Sequence, residues 1–176
     1  RLARGDTLRS IYGHIVLRVG ILIVLGMMIN GNLLTYDPKK FQLTYSVLQM
    51  LALGYLVASI LYLNLGLPWQ IVATAAMLLV YWLLLAFVPG PGHQIGVFNE
   101  HCNLGDWLND WILGDLQGPW RFGWILGILG HASTAMLGVF AGQVLRSERS
   151  HRGKVAWLVG LGLVCLAAGY VWSGWA

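Results

Sequence analysis

Four stretches of this chain carry no Asp, Glu, Lys or Arg: Val19–Tyr36, Phe41–Asn99, Phe122–Leu145 and Val155–Ala176. A helix that crosses a bilayer needs about 20 mostly apolar residues, so each stretch can supply one crossing. The second has room for two, with Gly66-Leu67-Pro68 placed where a hairpin turns. The chain is expected to be all-α: an integral membrane bundle of five transmembrane helices, over about 11–30, 43–63, 69–88, 122–145 and 155–174, forming a single transmembrane domain over 1–176. Only 10% of its residues are charged, against roughly 25% in a soluble domain. That excludes a soluble globule, and the 57% hydrophobic content excludes intrinsic disorder.

Charge placement orients the spans. Arg1, Arg4 and Arg9 precede the first span, and Arg146, Arg149, Arg152 and Lys154 cluster between the fourth and fifth. Five spans put both groups on one side, and Lys and Arg accumulate on the cytoplasmic side. The expectation is a cytoplasmic amino terminus in a bacterial inner membrane, with loop 89–120 facing outward. The net charge of +4 is explained by this topology, and no nucleic-acid partner is expected. Cys102 and Cys165 fall in a loop and in a span, so no disulfide framework is legible. The chain starts at Arg1 without Met and stops just after a span, which reads as the middle of a longer bundle.

Within the outer loop, Leu104, Trp107, Leu108, Trp111 and Ile112 recur at helical spacing, with Asp106, Asn109 and Asp110 on the opposite face. This predicts a short amphipathic helix with Asn103 as N-cap, Asp106 in the first turn and Gly114 at the stop. Its two tryptophans place it in the membrane interface or across the mouth of the bundle.

Three sets of residues could carry chemistry. His131 lies near the middle of the fourth span, where an ionisable group is costly. It can tie the bundle together through a backbone carbonyl or hydroxyl of a neighbouring helix, relay a proton or acyl group, or ligate a tetrapyrrole with Gly127 giving the macrocycle room. Gly123, Gly127, Gly138 and Gly142 line the same span at steps that allow another helix to approach closely, so this face is expected to bind further helices or subunits. In the outer loop, His93, Asn99, Glu100, His101, Cys102, Asn103, Asp106 and Asp110 show neither CxxC nor HExxH spacing, and no metal site is expected. Asn99, His101, Asn103, Asp106 and Asp110 suit a hydroxylated ligand such as a sugar, since carboxylates and amides bond hydroxyls and Trp stacks on rings. A merely solvated loop is the alternative. Near the cytoplasmic end, His14 and Arg18 share a helix face and can hold an anion, unless Arg18 only snorkels to the interface. Gln49, at membrane depth, suits interhelical hydrogen bonding.

The run Val47-Leu48-Gln49-Met50-Leu51-Ala52-Leu53-Gly54-Tyr55-Leu56, the exit Phe87-Val88-Pro89-Gly90-Pro91-Gly92, the stretch Asn103-Leu104-Gly105-Asp106-Trp107-Leu108-Asn109-Asp110 and Leu137-Gly138-Val139-Phe140-Ala141-Gly142 together resemble the heparan-α-glucosaminide N-acetyltransferase-like family of membrane acyltransferases. Their order and spacing match over nearly the whole chain. The resemblance implies an enzyme that moves acetyl from cytoplasmic acetyl-CoA to a sugar amine across the membrane. The donor then belongs near His14, Arg18 and Gln49, and the acceptor near the outer loop. The family's proposed acyl-carrying histidine lies upstream of the matched part, and His131 has no assigned counterpart. The chain also departs from the family at Leu116-Gln117-Gly118-Pro119-Trp120, where many members carry Asp-Pro-Glu-Gly. The alternative is a non-catalytic subunit packed within a larger membrane assembly.

Overall fold

The computed structural model describes residues 7–29, 47–89, 103–114 and 124–174. They form six helices: α1 (Leu8–Ile29), α2 (Val47–Asn64), α3 (Leu67–Phe87), α4 (Leu104–Leu113), α5 (Trp124–Arg146) and α6 (His151–Ser173). All but α4 are long and apolar enough to cross a membrane, with no more than two charged residues in any qualifying window. The all-α membrane architecture expected from the charge pattern is thus observed, with no strand among the described residues.

Helix ends follow caps rather than charges. α1 starts three residues before the expected span because Thr7 Oγ1 accepts from the Ser10 amide at 3.4 Å. α6 starts at His151, four residues early, because Ser150 Oγ accepts from the Gly153 amide at 3.3 Å. Arg9, Arg152 and Lys154 therefore lie within helices. Their charges can reach the interface along flexible stems.

By packing, the chain divides into two units, Arg1–Met136 and Leu137–Ala176. In the first, Ile11, Ile15 and Val19 of α1 pack with Ala52 of α2, flanked by Tyr55, Leu56 and Leu63. The Asn64 amide donates to Tyr12 Oη at 2.6 Å, pinning the start of α1 to the end of α2. The two helices are therefore antiparallel. The α2–α3 hairpin turns at Gly66, with Pro68 in the first turn of α3, where its missing N–H has no bond to lose. Gln70 closes the turn: its amide donates to Leu65 O at 2.7 Å and to Tyr62 O at 3.3 Å. These are carbonyls that the end of α2 leaves without helical partners, which accounts for a buried glutamine at this position.

α5 joins this unit through glycine contacts. A Cβ on Gly54 would sit 3.1 Å from the carbonyl carbon of His131 and 3.3 Å from the Ala132 nitrogen, and one on Gly127 would sit 3.2 Å from Met50 Cε. As numbering rises from Met50 to Gly54 on α2, the contact on α5 moves from Gly127 to His131. The two helices run parallel, and their first turns share one end of the bundle. In the second unit, Arg149 lies over the Trp157 ring, 4.6 Å from its centroid.

Candidate functional site at the α4 end of the bundle

The short helix forms where its capping signals predict. Asn103 Oδ1 accepts from the Asp106 amide at 3.0 Å, and the Asn103 amide donates back to Asp106 Oδ2 at 3.0 Å. This reciprocal pair fixes the first turn, much as a capping box does. The helix ends at Gly114, whose φ of 47° and ψ of −122° suit glycine alone.

The orientation of α4 is the feature that builds the site. Asp106 is 4% exposed and Asn109 1%, whereas Trp107 is 39% exposed and Trp111 73%. The acid and amide turn into the protein, and the indoles turn away from it. Trp107 and Trp111 stack on each other, 6.1 Å between centroids and 11° between planes. Asn109 Oδ1 accepts from the Ile125 amide at 3.0 Å, satisfying one of the first-turn N–H groups of α5 that have no helical acceptor. The polar face of α4 is thereby seated on the start of a membrane span.

Other polar groups gather at the same end. Gln49, 2% exposed, lies in the first turn of α2 beside Met50, which reaches Gly127. The Trp124 indole N–H is buried and meets no acceptor among the described residues. An oxygen-bearing ligand could accept from it. About two turns further along α5, His131 Nδ1 lies 2.9 Å from Gly127 O. A carbonyl can only accept, so Nδ1 carries the proton and Nε2 is left as the basic nitrogen. No family model, curated protein or solved structure matches the chain.

The expected site residues divide as follows. Asn103 and Asp106 are joined directly, while Asp110 on the same helix is exposed. Asn99 and His101 lie outside the described residues. Gln49 is not brought to His14 and Arg18. With α1 and α2 antiparallel and Tyr12 level with Asn64, helical rise places Gln49 about 19 Å from His14 and about 13 Å from Arg18 along the bundle. His14 and Arg18 are exposed on α1, whereas Gln49 is buried at the α4 end. Gln49 therefore belongs with the cluster at the α4 end in space.

His131 was expected to bond a neighbouring helix, whereas its Nδ1 pairs with Gly127 O one turn back on its own helix. The room expected at Gly127 is filled by Met50. No group of three His, Cys, Asp or Glu side chains that could hold a metal occurs among the described residues. Of the glycine face, Gly127 is packed, Gly138 and Gly142 would each accept a Cβ with nothing within 4 Å, and Gly123 lies outside the described residues. Sequence reasoning missed Gly54 and Asn109. Asn109 was legible only as a polar-face residue, because its bond to the Ile125 amide spans sixteen positions and leaves no local signal.

Proposed function

We propose that this chain is a membrane acyltransferase that passes an acetyl group from cytoplasmic acetyl-CoA to a sugar amine on the opposite side. The single observation that carries the proposal is the burial of the Asp106–Asn109 face of α4 against the first turn of α5. It makes a polar acceptor end in an otherwise apolar bundle, and it falls within a motif that carries the family resemblance. The spare Trp124 donor adds a group suited to a sugar oxygen. At the other end, His14 and Arg18 lie near the basic start of α1, where they can meet the donor's phosphates.

The chemistry asks little more of the protein than positioning and a proton acceptor. The amine nitrogen attacks the thioester carbonyl, the carbon–sulfur bond breaks, the thiolate leaves, and the nitrogen loses a proton to a base. His131 Nε2 is the candidate base, because Nδ1 is committed to Gly127. The reaction also requires that water be kept from the thioester. Purified full-length protein incubated with labelled acetyl-CoA and glucosamine is expected to yield labelled N-acetylglucosamine. A folded preparation that transfers no label refutes the proposal.

A second reading is favoured by the open glycine positions on α5. Gly138 and Gly142 leave space for the close approach of another helix, as a non-catalytic subunit of a larger membrane assembly requires. Co-purification with other membrane subunits in fixed stoichiometry, without transfer activity, supports that alternative.

A further inference from the structure

We infer that α4 is an interfacial anchor whose Trp107–Trp111 face is covered by the lipid headgroup region of the leaflet at its end of the bundle. Three observations converge on lipid. The depth of α4 is set by the 3.0 Å bond from the Ile125 amide to Asn109, which holds it level with the first turn of a membrane-spanning helix. Its rotation is set by the buried Asp106 and Asn109, so that the stacked indoles point away from protein. Further apolar surface is exposed on the helix packed against it, because α3 contacts α4 and exposes Leu83 and Phe87 near its end.

Indoles combine a broad apolar body with one N–H donor, which is why Trp is enriched at the membrane–water boundary. Asp110, exposed beside them on the helix surface, meets the aqueous side of that boundary. The arrangement reverses the usual pattern of a surface helix at these positions: Asp106 and Asn109 are buried in the protein, and Trp107 and Trp111 lie outside it. This inference rests on the membrane-spanning character of the bundle and stands whether or not the chain transfers acetyl.

The test uses the full-length chain in phosphatidylcholine–phosphatidylglycerol vesicles. With Cys102 and Cys165 replaced by Ser, Trp111→Cys carries a nitroxide label whose collisions with oxygen and with a water-soluble nickel chelate are measured. The expected result is preferential collision with oxygen at headgroup depth. Equal access to both reagents, as for a label in water, overturns the inference. Spin–spin broadening shows a second copy on this face, and shielding from both reagents shows a protein partner; either also overturns it. A second measurement needs no label. The emission lost in Trp107→Phe/Trp111→Phe is obtained by subtraction from the wild type, and lipids brominated near the headgroup should quench that difference. An unquenched difference contradicts the inference.

Discussion

Replacing Gly54 by alanine sets two effects of opposite sign against each other. In water, alanine favours a helix over glycine by about 1 kcal/mol, so at an open position the change is neutral or stabilising. At Gly54 the new methyl would lie 3.1 Å from the His131 carbonyl carbon, 3.2 Å from its oxygen and 3.3 Å from the Ala132 nitrogen. All three are backbone atoms of another helix, so no side chain can swing aside and α2 and α5 must separate by a few tenths of an ångström. Overpacking of this kind costs about 1–3 kcal/mol. The net expectation is a loss of about 1 kcal/mol for Gly54→Ala and a larger loss for Gly54→Leu, whose branched side chain forces a wider separation. Gly20→Ala is the control, since a methyl there meets nothing within 4 Å. Reversible unfolding in mixed micelles, followed by helical circular dichroism, gives the three stabilities. If Gly54→Ala equals or exceeds wild type while Gly20→Ala does the same, α2 and α5 do not approach closely at this glycine.

Asn109→Ala should destabilise the protein by about 1–3 kcal/mol, because it leaves the Ile125 amide without its acceptor. Hydrogen exchange at that amide should accelerate, and unchanged protection there would show that another acceptor serves it. Asn103→Ala removes the N-cap of α4 and should cost about 1 kcal/mol, visible as faster exchange at the Asp106 amide, whereas Asn103→Ser should retain most of the protection. His131→Ala should cost only about 1 kcal/mol, since the contact with Gly54 is made by the His131 backbone; a loss of several kcal/mol would mean that the ring itself holds the bundle. Acetyl transfer by this folded variant then reports on the ring's chemistry, and undiminished transfer removes His131 as the base.

Uncharged stretches long enough to span a bilayer can be recognised without knowing what they pack against, which is why the five spans were legible from charge placement alone. The ends of α4 were legible for a related reason. Asn103, Asp106 and Gly114 act within a few residues of themselves, through one side-chain bond to a backbone amide and one positive-φ turn. What sequence could not show was direction. Periodicity separates Asp106 and Asn109 from Trp107 and Trp111, but only the bond to Ile125 shows that the polar face turns inward.

Small residues posed the same problem. Glycines at helical spacing on α5 suggested a contact face without specifying its partner, and a close backbone approach to α5 is made through Gly54 on α2, which belonged to no such series. Gln49 illustrates the limit for the site itself. It was grouped with His14 and Arg18 as the donor side that the family resemblance implies, and the antiparallel pairing of α1 and α2 places it at the other end of the bundle.

Transmembrane acetyl transfer is tested most directly in sealed vesicles containing full-length protein, with labelled acetyl-CoA on the side of the α1 start and glucosamine on the side of α4. The account predicts labelled N-acetylglucosamine in the α4 compartment, at a rate reduced by Asp106→Asn in protein that remains folded. Protein that is folded and correctly oriented but leaves all label on the donor side would contradict it.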